Sequence, residues 1–279
     1  MWTPENRKRY DRSHLRYPSD LTDEEWALIE PMIPPAKHGG RPRSVNLREI
    51  MNGIMSVLST GCQWRALPTD LPPTTTVFCY LSLWMFDRTL EHIHDALSQQ
   101  CRALAGRASC PSACIIDSQS VTSTEKGGPH IDPVGYDAGK QIKGKKRHIL
   151  VDMLGLLLQG LVHPADLQDR DGGALLLATL LGRWPGLKKL FADAAYQGPL
   201  FKQAVAELLP ELVIEIVKRS DQAKGFILLP KRWIVERTLG WLNRCRRLAK
   251  DFENLAATAL AFLKLASIRL MLRKLCNPT

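Results

Sequence analysis

Ala113-Cys114-Ile115-Ile116-Asp117 and Lys189-Leu190-Phe191-Ala192-Asp193 are the two stretches from which the fold can be read. Each is a short apolar run closed by an aspartate, the pattern of a buried strand whose acid stands where the strand reaches the edge of its sheet. Open α/β sheets bind ligands at such strand ends. Around them, residues 147–151 and 156–162 resemble two strands joined by a turn at 152–155, an antiparallel hairpin. Helical patterns follow at 172–181 and 201–209, and 212–217 alternates its apolar positions as a fifth strand. Short strands interleaved with helices predict an α/β domain over 113–279, a mixed five-stranded sheet flanked by helices. After it, 231–252 and 255–275 read as two long helices. Before it, residues 1–107 form a small all-helical module. Thr22 is a candidate cap for Asp23-Glu24-Glu25-Trp26, and a turn spans 31–43. Leu47, Ile50, Ile54 and Leu58 keep helical spacing, and a third helix starts after Pro72-Pro73. A linker rich in small residues spans 105–112.

With 279 residues, 45% hydrophobic and 24% charged, the chain has the composition of a globular protein with one large domain and a smaller appendage. Its longest uncharged run, 71–86, is broken by prolines and is too short for a membrane span. The N-terminus lacks an apolar export segment, so a soluble cytoplasmic protein is expected. Seven cysteines without a CxxC pair fit reduced thiols rather than a disulfide frame or structural zinc. The net charge of +10 points to a polyanionic partner. Residues 140–147 hold five basic residues and no acid; residues 231–250 hold seven and a single acid, Glu236.

Asp117 and Asp193 on neighbouring strands have the chemistry to hold two magnesium ions about 4 Å apart, a clamp for the attacking and leaving oxygens of phosphoryl displacement. The plainer alternative is that either aspartate caps a turn. Glu236 is the candidate third ligand: on a helix, Arg232, Glu236 and Asn243 share a face beside the apolar stripe Val235, Leu239 and Leu242. Its plainer alternative is an intrahelical ion pair with Arg232.

Residues 228–244, Leu-Leu-Pro-Lys-Arg-Trp-Ile-Val-Glu-Arg-Thr-Leu-Gly-Trp-Leu-Asn-Arg, taken with Ile116-Asp117-Ser118-Gln119-Ser120 and Ala192-Asp193-Ala194-Ala195-Tyr196-Gln197-Gly198, resemble the DDE-type transposases of insertion sequence family 5. Residues 17–26 and Trp64-Arg65-Ala66-Leu67-Pro68 are similar to that family's N-terminal module. The resemblance implies a ribonuclease H-like catalytic domain in which Asp117, Asp193 and Glu236 bind Mg²⁺, with Mn²⁺ as a substitute. It also places Arg232 as the arginine of the Tyr-x2-Arg-x3-Glu-x6-Lys signature. Leu229 and Asn243 depart from that signature at its tyrosine and lysine, so the contacts of those two residues do not transfer.

The implied activity is hydrolysis at transposon ends followed by strand transfer, on double-stranded DNA carrying terminal inverted repeats and on target DNA, by a homodimer assembled on the DNA. A ribonuclease H-like nuclease without strand transfer and a domesticated DNA-binding regulator are the competing readings. Candidate DNA contacts are Arg232, Arg244, Arg246 and Arg247 in the second basic stretch and Lys143, Lys145 and Lys146 in the first. Arg41 and Arg43 on an extended Pro-Gly backbone suit a minor groove, with an ordinary solvated turn as the plainer alternative. Asp169-Arg170-Asp171-Gly172 is a candidate lining of the site that helix capping explains equally, and His92 and His94 diverge on a helix and so do not suit a metal.

Overall fold

A computed structural model of the protein describes residues 3–36, 39, 43–125, 130–217 and 231–277. Five helices come first: α1 (Pro4–Arg9), α2 (Asp23–Ile29), α3 (Leu47–Thr60), α4 (Thr74–Phe86) and α5 (Thr89–Leu104). The sheet is built from β1 (Ala113–Thr122), β2 (Gly135–Asp137), β3 (Ile142–Asp152), β4 (Leu157–Pro164), β5 (Lys189–Ala192) and β6 (Val213–Ile216). Helices α6 (Asp169–Ala178), α7 (Pro199–Leu208), α8 (Arg232–Leu242) and α9 (Ala256–Cys276) complete it. Thr22 caps α2 as expected, and Glu25 completes a reciprocal capping box with it. No helix among the described residues is long and apolar enough to cross a membrane.

β1 lies at the centre, antiparallel to β3 and parallel to β5, and β5 is parallel to β6. The far edge of β3 pairs with both β2 and β4. The mixed sheet is thus the expected one with a sixth strand added. β2 escapes sequence reading because Gly135-Tyr136-Asp137 has no apolar run and is too short to show a period. β1 is also longer than expected. Ser118, Gln119 and Ser120 continue the ladder against His148, Arg147 and Lys146, so Asp117 stands within the strand and not at its end.

Side chains alternate across the sheet with a period of two. Cys114 and Ile116 face one core with Leu150, Leu190 and the buried sides of α6 and α7. Ile115 faces the other, with Ile149, Phe191, Val235 of α8 and the apolar side of α9. That second core runs without a break into α3, α4 and α5, through Ile50, Ile54, Leu58, Val77, Leu81 and Leu97. The helices before residue 107 therefore cover the sheet-and-α9 core. At about 1.5–3 kcal/mol for each buried Leu or Ile side chain, this contact is a large part of the molecule's stability.

The expected helix over 231–252 is interrupted. α8 ends at Leu242, Asn243 caps it, and the backbone turns extended at Cys245 before a short 3-10 turn, Arg246–Leu248. The break lies where α3 ends. Gly61 caps α3 in the left-handed conformation at φ 69°, and a Cβ there would stand 2.9 Å from the Arg246 carbonyl carbon. A continuous helix would lose this close approach and the burial of Arg247.

Candidate active site

The β1–β5 register pairs Ile115 with Phe191. Carried two residues on, it sets Asp117 beside Asp193, both on the face covered by α8. Asp193 follows β5 and accepts a hydrogen bond from the Ala195 amide at 2.9 Å, so it caps a turn as well. Its other oxygen lies 3.5 Å from a guanidinium nitrogen of Arg232, and the same nitrogen lies 3.5 Å from Glu236. Arg232 and Glu236 are one turn apart on α8, and the predicted intrahelical pair exists. The guanidinium is nevertheless shared with a residue from another element. At that length and partial exposure neither contact contributes much stability.

Asp117 is partly buried and accepts the Ser118 amide at 2.7 Å. Burial pushes its carboxyl up to about 6, against the Ser118 amide and the positive field of Arg232, while the Asp193 charge adds to the rise. Glu236, by contrast, is about half exposed, at 49%. Among the described residues no three His, Cys, Asp or Glu side chains lie close enough together to hold a metal ion. Asp193 and Glu236 are joined through Arg232 instead. The donor set nonetheless fits a divalent cation. Carboxylate oxygens are what magnesium prefers, and two acids side by side with one desolvated call for positive charge.

The basic residues divide sharply. Lys143, Arg43, Arg244 and Arg246 are exposed; Arg41 and Leu229 lie outside the described residues. Lys145 and Lys146, read from sequence as DNA contacts, are buried. Lys146 donates to the Leu167 carbonyl at 2.8 Å and pairs with Asp169 at 3.0 Å and Asp137 at 3.5 Å. The stretch enters β3 at Ile142, and from residue 144 to 147 it is buried, while Lys140 and Lys143 stay exposed. Arg247 is also buried, donating to Glu253 at 2.6 Å and to the Cys62 carbonyl at 3.0 Å, with Trp64, Phe252 and Phe262 around it. It ties the chain after α8 to the end of α3 and is not available to a duplex.

A polar cluster on the opposite face of the sheet went unread in the sequence. Ser118 donates to Asp169 at 2.8 Å. His148 and His163 are hydrogen-bonded at 2.8 Å and stacked, and the second nitrogen of His148 meets the Asp169 carbonyl oxygen at 3.1 Å. Gly172 makes the room: a Cβ there would stand 2.4 Å from the His148 ring. Asp169 forms no cap; burial acts to raise its carboxyl, but Lys146 and Ser118 outweigh burial and hold it below the usual range. The missed signal was the alternation of Lys146 and His148 on β3 opposite Ser120 and Ser118 on β1. His94, set aside as a ligand, is a buried histidine bonded to Ser267 of α9 at 3.1 Å.

A mixed sheet with one aspartate in β1, another directly after the parallel β5 and a glutamate on the overlying α8 is an α/β arrangement of the kind expected from the sequence. Residues 108–271 match the family model described as "Transposase DDE domain", and residues 21–94 match one described as "Putative transposase of IS4/5 family". The chain is 30% identical over 156 residues to the "Putative transposase for insertion sequence element IS402" of Burkholderia cepacia, a match covering 52% of this chain and 70% of the relative. It is 36% identical over 90 residues to an uncharacterized 16.2 kDa protein of the same insertion element, covering 30% of this chain and 60% of that relative. The protein belongs to the DDE transposase family.

Proposed function

We propose that the protein is a DNA transposase that hydrolyses a phosphodiester at each transposon end, after which the freed 3′ hydroxyl attacks a target phosphodiester, joining to its phosphorus and displacing the target's 3′ oxygen. The observation that supports this reading is that Asp193 and Glu236 share the Arg232 guanidinium while Asp117, next to Asp193 across the strands, lies in its positive field, in a chain of the DDE transposase family. Asp117, Asp193 and Glu236 would hold Mg²⁺ or Mn²⁺, which supplies charge neutralisation and polarisation at phosphoryl oxygens when bound. Arg232 balances the negative charge of Asp193 and Glu236 and keeps both oriented towards the strand edge. Glu236 is the adaptable member, because its side chain is half exposed. The helices before residue 107 would recognise the terminal repeats and help assemble two protomers on double-stranded DNA, and exposed Arg244, Arg246, Lys143 and Arg43 would meet phosphates.

The test is a cleavage assay on a labelled duplex carrying the inverted repeats that flank the coding region. Mg²⁺-dependent nicking at the repeat boundary, followed by joining to an unlabelled plasmid, is the expected result. Nicking without joining would favour the nuclease reading. Binding to the repeats without nicking in either Mg²⁺ or Mn²⁺ would favour a DNA-binding regulator.

A further inference from the structure

Beside the carboxylates, on the neighbouring flank of α8, lies a groove of about 580 Å³ between α8, α9 and the β3–β4 turn. Arg237, Arg244, Arg269, Arg273 and Lys274 line it, and no Asp or Glu is among its described lining residues. Its floor is different in kind, formed by apolar side chains such as Leu154 of the turn and Leu270 of α9. Trp241 stands at the side, 40% exposed, with the Arg237 guanidinium 4.6 Å from its ring centroid. Arg237 is in turn stacked on Trp233 at 4.5 Å and donates to the Leu154 carbonyl at 3.2 Å, so the tryptophan is backed by a fixed cation.

Two features of this groove require explanation together. The five cations repel one another, with Glu25 of α2 acting on Arg273 as a partial offset. Arg269 and Arg273 are successive on one face of α9, and burial together with that proximity holds Arg273 down to about 10. Such a cluster is complementary to phosphate. A duplex backbone alone, however, would make no use of an apolar floor and an exposed indole. Unpaired nucleotides use both, since their bases stack on aromatic rings while their phosphates follow the basic rim.

We propose that this groove binds an unpaired segment of a DNA strand, with a base against Trp241 and phosphates along Arg244, Arg269 and Lys274. The proposal rests on the DNA-cleaving reading above and adds to it a site for single-stranded DNA outside the acidic centre.

The test measures binding of the full chain to a fluorescein-labelled 12-nucleotide oligothymidine and to a blunt duplex of random sequence, by anisotropy over a salt series. Trp241→Ala should bind the single strand about tenfold more weakly, the loss of one stacked base, and the duplex within twofold of the parent. Trp241→Phe should restore most of the single-strand affinity. Arg244→Gln with Lys274→Gln, both at exposed positions, should flatten the salt slope for the single strand. A folded Trp241→Ala protein, verified by thermal melt, that keeps full single-strand affinity overturns the proposal and leaves the transposase reading standing. Equal losses on strand and duplex also overturn it, in favour of a general backbone contact. Absence of binding to either DNA by the parent protein overturns both readings.

Discussion

Asp117 and Ser118 are adjacent in β1 and face opposite sides of one sheet, and the polar groups on the two sides are treated differently by the fold. Behind Ser118, Asp169 and Asp137 each pair with Lys146 and accept from the Ser118 and Ser120 hydroxyls, and His148 and His163 bond to each other and to carbonyls. On the Asp117 side, Asp193 and Glu236 share one distant guanidinium, and Asp117 carries a raised carboxyl with a like charge beside it. A buried polar cluster that completes its own partners needs nothing from outside. One left short of positive charge is poised for a cation. The contrast separates a structural polar centre from the candidate catalytic one more clearly than residue type does, since both contain aspartates.

The largest expected separation is in activity. Alanine at Asp117, Asp193 or Glu236 should lower strand cleavage by about a thousandfold or more while the thermal midpoint stays within a few degrees, because ligand loss removes chemistry and little packing. Retained cleavage in any one of the three would remove that residue from the centre. On the other face, Lys146→Met should cost about 3 kcal/mol in denaturant unfolding by stranding the Asp169 and Asp137 charges. A neutral result would mean that the cluster is solvated and the contrast false.

The two faces should also respond to pH with opposite sign. Burial pushes His148 down to about 3, aided by its histidine neighbour. The unfolded chain therefore takes up a proton near pH 6.5 that the folded one refuses, and this contribution to stability is lost as pH falls from 6.5 towards 3. Asp117 is raised from 3.8 to about 6, so the folded state holds the extra proton and stability is lost as pH rises through that window. Asp117→Asn should accordingly stabilise the protein by about 2 kcal/mol at pH 7.5, after discounting for its residual solvent contact, and by nothing below pH 4. Unfolding curves at pH 4, 6 and 7.5 check both signs. Smallest of all, Lys143→Gln or Arg43→Gln should weaken duplex binding by under tenfold and reduce the salt slope by about one. No change in slope would take these exposed residues off the DNA path.

The end-recognition role proposed for the helices before residue 107 is better tested by surface substitutions than by deletion. A chain beginning at Ala113 would lose α3, α4 and α5 and bare the side of α9 that Ile54, Leu58 and Leu97 cover. Its failure to bind would report unfolding.

Much of this architecture was legible in the chain itself. Apolar runs ending in Asp117 and Asp193, the hairpin around residue 153, the Thr22 cap and the placing of Arg232 one turn before Glu236 are local signals. Period and backbone propensity are set within a few residues. Three matters required the tertiary structure. The break of the helix after Leu242 depends on Gly61 and on the burial of Arg247 against Trp64 and Glu253, contacts that a helical period does not encode. The fate of Lys145, Lys146 and Arg247 depends on which strand or turn buries them, so a basic run in sequence became an interior ion-pair network. The joining of the helical module to the sheet core depends on α5 and α3 meeting α9, whose pairing is invisible along the chain. Local free energy selects elements, but the burial of their apolar faces selects partners. Those partners decided which charges were satisfied inside and which remained beside Asp117 for chemistry.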